Sequence, residues 1–293
     1  MHPGQKFRPG CALLGHLSLI AAIVFIMPPR RYLSLAISIA SLFAAPSIHL
    51  QAQIVPAKDR LQILTAARSQ YYNLRTAGLK SFICNVDVDW DALFISISGK
   101  PLPSDDPMMQ YLDKSRLSLS VSTSGTSNVS WANTGLPPEG KEESTDKLRS
   151  GIKQTLDGFI QAWIPSLNGT LINLTAKSLT ATPSGFLLDD GTANSPDILT
   201  LDKNYVVTHV SNKSEMMSGE LDATFTSSEK GLLMSKLDGL YRQPASAPPT
   251  HVVMSATFQP VDSFLLPQEL AFTVTNVAIF KMQLVGCTIQ KQP

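Results

Sequence analysis

The sequence predicts an α+β fold in which a curved antiparallel sheet has two amphipathic helices over its concave side. Three observations carry this. The C-terminal half alternates apolar and polar residues with a period of two, broken at short intervals by turn residues. Two earlier segments repeat apolar residues at threes and fours. The first fifty-odd residues read as an export signal rather than as part of the fold.

From Tyr32 to Ala45 the chain is apolar or small, Arg30 and Arg31 precede it, and Leu50-Gln51-Ala52 follow Pro46. That charged, apolar, small-residue order places residues 1–52 in a targeting segment and residues 53–293 in one domain. A second apolar run, Cys11 to Met27, lies upstream, so translation starts either at Met1 or at Met27. Each run falls short of the ~20 residues that span a bilayer. The alternative to cleavage is an N-terminal apolar hairpin anchor. The expected location is the periplasm or the extracellular space. Cleavage removes Lys6, Arg8, Arg30 and Arg31 but no acidic residue, which turns the formal charge from +1 to −3. A weakly anionic domain of this kind is not expected to bind nucleic acid.

Cys84 and Cys287 remain after cleavage, and an even pair in an oxidising compartment reads as a disulfide joining the first strand to the last. A thiol nucleophile would need a base, and His209 and His251 are the histidines left.

Pro56 opens a helix with Leu61, Leu64, Ala67, Tyr71 and Leu74 on one face and Gly78 as its stop. Phe82, Cys84, Val86, Val88 and Trp90 then alternate as a half-buried strand. Lys100 to Met109 reads as loop by its prolines, Leu117, Leu119 and Val121 as a second strand, and Gly125 to Gly140 as turn-rich chain. Leu148, Ile152, Leu156, Phe159 and Trp163 form the stripe of a second helix that Pro165 and Gly169 end. Strands follow at Leu171–Leu179, Gly185–Leu188, Ile198–Leu201, Tyr205–Val210, Gly219–Phe225, Leu232–Leu240, His251–Phe258 and Leu270–Thr288. Pro267 sits at a strand entrance.

No motif names a reaction. Asp87, Asp89 and Asp91 lack the glycine and glutamate of a calcium loop, since Ala92 and Ser98 stand in those places, so they read as a solvated strand face. Two histidines cannot close a zinc site. No G-x-S-x-G elbow occurs, which leaves a serine hydrolase of that type without an anchor. No metal or cofactor is expected. Asn-x-Ser/Thr triplets begin at Asn128, Asn168, Asn173 and Asn212.

The helix-to-strand start from Tyr71-Tyr72-Asn73-Leu74 to Cys84-Asn85-Val86 is one of three local signals. The others are the Leu199–Tyr205 hairpin and Phe264-Leu265-Leu266-Pro267 entering a strand. In this order of elements the chain resembles the periplasmic lipoprotein-carrier superfamily, the Lol carriers and their lipid-binding relatives. That resemblance implies a half-barrel closed by helices, and a monomeric, non-enzymatic carrier for a lipid or for lipoprotein acyl chains. A roofed apolar space would be lined by Leu148, Ile152, Leu156, Phe159, Trp163 and Trp90. The alternative is an envelope structural or interaction domain, with a protein partner, whose helices fill the space as core. The stretch from Gly99 to Pro165 is longer than in the simple carriers.

Overall fold

The computed structural model describes residues 53–133, 135–191, 197–214, 218–243 and 247–292. The export segment, its cleavage point and the alternative starts lie outside them. Four helices and thirteen strands are present among the described residues, and the strands form one open, curved, antiparallel sheet.

The helices are α1 (Ala57–Ser69), α2 (Trp90–Ser98), α3 (Pro107–Asp113) and α4 (Glu142–Leu167). The strands before α4 are β1 (Gln53–Ile54), β2 (Leu79–Val88), β3 (Ser115–Ser122) and β4 (Ser127–Asn133). After it come β5 (Ser178–Thr182), β6 (Gly185–Asp189), β7 (Asp197–Asp202), β8 (Val207–Lys213) and β9 (Ser218–Ser228). The last four are β10 (Gly231–Arg242), β11 (Thr250–Val261), β12 (Phe264–Val274) and β13 (Ala278–Lys291).

Strand order in space is β1-β5-β6-β7-β8-β9-β10-β11-β12-β13-β2-β3-β4. From β5 onward the chain meanders, and β13 then pairs with β2, so the last strand lies beside the first long one. The step from β4 to β5 runs from one end of the sheet to the other. Helix α4 makes it with 26 residues, about 39 Å at ~1.5 Å per residue.

Local chemistry explains where the elements depart from the alternation and spacing. The alternation carries a strand through Trp90, but the Asp89 carboxylate accepts the Ala92 N–H at 2.8 Å and starts α2 there, so Trp90 and Asp91 are helical. Gly99, at φ 80°, ends α2 in the left-handed conformation that glycine adopts without strain. The proline-rich stretch is loop only as far as Asp106, whose carboxylate accepts the Met108 N–H at 2.8 Å and starts α3 with Pro107 in its first turn. Within Gly125–Gly140, Ser127–Asn133 is the strand β4.

Helix α1 stops at Ser69, so Tyr71 and Leu74 lie beyond it, and Leu61 is exposed. Tyr71 makes an isolated parallel bridge to Leu232, and its hydroxyl accepts the Val207 N–H at 2.8 Å. Gly231 is required at this bridge, because a Cβ there would meet the Gln70 carbonyl oxygen at 2.7 Å. Pro165 lies inside α4, two residues before its end. Its carbonyl accepts the N–H groups of both Thr170 and Leu171, which closes the last turn after the proline. Leu171 and Ile172 are buried but irregular, and β5 begins at Ser178. The single run Leu270–Thr288 is two strands, β12 and β13, turned by Asn276 at φ 61°. Pro267 lies within β12 at a register shift opposite Phe258, where its missing donor costs no ladder bond.

Strand β2 ends opposite Met282, whereas β13 begins four residues earlier at Ala278. Helix α2 occupies the missing strand's place. The Asp89 N–H donates to the Lys281 carbonyl at 2.9 Å, and the Ile279 N–H donates to Ser96 Oγ at 3.0 Å. One contiguous core runs along the apolar face of the sheet, from Leu117 and Leu119 through Phe82, Leu284, Phe272, Met254 and Leu237 to Leu201 and Leu188. Leu64 and Ala67 of α1 join it.

Candidate functional site

The expected ligand-facing residues divide between two places. Ile152, Leu156, Phe159 and Trp163 sit in the main core, each 1 % exposed or less. Phe159 and Trp163 stack with ring centroids 4.4 Å apart and planes 10° from parallel. The Trp163 indole N–H donates to the Met234 carbonyl on β10 at 2.7 Å, which gives the buried donor a partner and fixes the ring. Ile160, Ala162, Ile164, Pro165 and Leu167 are buried as well. From Ala162 to Leu167 every residue of α4 is buried, and Asp157 and Gln161 are only partly exposed and bonded to Ser127, so this half has no fully wet outer face.

The crevice beside this half, between Ile164, Leu167, Leu74, Phe82 and Val121, has a volume of about 10 Å³. That holds about one water molecule, whereas pockets for drug-sized ligands measure roughly 300–1,000 Å³. A larger groove of about 550 Å³ lies elsewhere, against β2, β12 and β13, with Asp87, Asp89, Glu269, Lys281 and Gln283 on its walls.

Trp90, Leu148 and Trp131 touch the edge of the main core and also pack with Phe94, Leu102 and Met108 around buried Met109, Tyr111 and Leu112. This satellite cluster joins α2, α3, β4 and the start of α4. Trp90 and Trp131 have centroids 6.1 Å apart, and the Arg149 guanidinium lies 5.9 Å from the Trp131 ring centre. The buried Trp131 indole N–H has no hydrogen-bond partner. Trp131 escaped the sequence reading because Val129 and Trp131 alone among Ser, Asn and Ala make too short an alternation to tell from a turn, and Met108 and Met109 because the prolines before them read as loop.

Cys84 and Cys287 form a disulfide between the adjacent strands β2 and β13, as their positions in the first and last long strands suggest. The register shifts there between Val285 and Thr288, and Gly286 at φ 57° supplies the irregularity. While bridged, neither sulfur is a thiolate. Asp87 lies opposite Gln283, Asp89 caps α2 and Asp91 begins it, so the three carboxylates do not share one strand face. Among the described residues no group of three or more His, Cys, Asp or Glu side chains is placed to hold a metal ion.

His209 lies between two carboxylates, with Nδ1 2.8 Å from Asp222 and Nε2 2.8 Å from Glu220. Partial burial pulls its pKa down, but the Asp222 and Glu220 hydrogen bonds outweigh that and hold it above the ordinary value. His251 Nε2 lies 2.8 Å from Asp238, and Nδ1 lies 3.0 Å from Thr275 Oγ1. Neither histidine has a cysteine or serine nucleophile among its hydrogen-bond partners. Of the four sequons, Asn168 and Asn173 accept from their own Thr170 and Thr175, and Asn212 donates to Asp197. Asn128 alone is exposed on a strand.

No protein-family model, no curated protein and no solved structure matches the chain. Among the described residues no helix is long and apolar enough to cross a membrane.

Proposed function

We propose that this is an exported, non-enzymatic domain of the cell envelope that acts through its surfaces on protein partners, with α1 and α4 on the concave side of the sheet as core. The observation that carries it is the Phe159–Trp163 stack, closed on Met234 by the indole hydrogen bond. An acyl chain cannot share that space without breaking the stack and leaving a buried donor unpaired. Titration with a fluorescent fatty acid tests this reading. Signal proportional to ligand with no saturation is expected, and saturable, displaceable binding would overturn it.

A second reading, the carrier of lipid or lipoprotein acyl chains, is favoured by the satellite cluster. Trp90, Phe94, Leu102, Met108, Trp131 and Leu148 are only partly buried there, methionine adapts to varied apolar shapes, and one indole N–H is free to donate. Under it the chain lies across Trp90 and Leu148 at the start of α4 rather than under Phe159. Saturable acyl binding lost in Trp90→Ala but kept in Phe159→Leu is its signature.

A further inference from the structure

The two ends of the sheet are finished differently. At one end β5 is covered by β1, which is two residues long. At the other, β4 pairs with β3 over seven consecutive residues, from Val121↔Ser127 to Ser115↔Asn133, with no register shift. Among the described residues no strand lies on its far side. Edges of this length are ordinarily guarded by lysine, proline, a bulge, inward-pointing charge or a covering helix. Ser-Asn-Val-Ser-Trp-Ala-Asn has none of the first four, and α4 packs beside it with Asp157 and Gln161 bonded to Ser127. A groove of about 250 Å³ runs beside the edge, between Ser127–Val129 and Lys153, Gln154 and Asp157 of α4.

We propose that β4 pairs antiparallel with β4 of a second copy, giving a two-fold dimer with one sheet continuous through both subunits. The strand is complementary to itself in that orientation. Centred on Ser130, the pairing sets Val129 opposite Trp131 of the second copy, a β-branched residue against an aromatic, and Asn128 opposite Ala132.

Sedimentation of the purified protein over a concentration series tests the pairing. Asn128 and Ala132 face solvent on β4, and Ala132 lies opposite Arg116 of β3, so a carboxylate introduced at Ala132 has a local partner. In the double variant Asn128→Glu/Ala132→Glu, two introduced carboxylates oppose each other across the two-fold at both pairs of positions. In Asn128→Lys/Ala132→Glu an introduced ammonium opposes an introduced carboxylate at each. The parent and the Lys/Glu variant are expected to dimerise, with the Glu/Glu variant weaker by about ten-fold or more. Circular dichroism and thermal melts confirm that all three are folded. A parent that stays monomeric at every concentration, or captures an added extended peptide on β4 instead of itself, overturns the proposal. So does a Glu/Glu variant that dimerises as tightly as the Lys/Glu variant.

Discussion

Phe159 and Trp163 decide whether the C-terminal half of α4 is core or lines a space. If they are core, as their burial and stacking indicate, Phe159→Ala is expected to cost about 3–5 kcal/mol through lost transfer energy and a residual cavity. Urea denaturation of parent and variant measures it, and a loss well below that range would mean the ring lines a space that was already partly empty. His209 offers a test of another kind. Because its folded pKa is raised, its contribution is present in full below the ordinary value of 6.5 and fades as pH rises through the folded value. Glu220 and Asp222 are 60 % and 79 % exposed, so solvent screens the pair and the slope is shallow. Urea midpoints collected across that window are expected to fall with rising pH in the parent and to lose this component in His209→Gln. An identical slope in both would remove the histidine from the account.

At the scale of elements, the disulfide ties β2 to β13 across 203 residues of sequence. Loop-closure entropy makes a bridge of that span worth about 5 kcal/mol as an upper estimate. Reduction under native conditions is expected to lower the denaturation midpoint by a matching amount, and an unchanged midpoint would show that the pairing of β2 with β13 holds without it. The bridge was legible in the sequence because Cys84 sits in a strong alternation and a cysteine pair in a chain expected to be exported has few other uses. Strands rich in Leu and Val, such as β3 and β10, were legible for the same reason. Strand β4 was not, since small polar residues fit a turn as well as a strand. Helix α2 was hidden by an alternation that continues through the residues that cap and begin it. The satellite cluster depends on both elements, so that part of the candidate site could not be assembled from the sequence.

For the whole molecule, the strand order explains why α4 is enclosed. A chain that must pass from β4 at one end of the sheet to β5 at the other has to cross its face. A 26-residue helix does so while keeping every interior backbone group but those at Pro165 hydrogen-bonded within itself. Its C-terminal half is then buried in the core with the Trp163 indole bonded to Met234. The most direct measurement is native mass spectrometry of the protein purified without detergent from an oxidising compartment. With α4 as core, the expected result is bare protein at the mass of one chain or, if β4 pairs as proposed, of two. Lipid adducts that survive desalting, and that disappear in Trp90→Ala, would contradict it and restore the carrier.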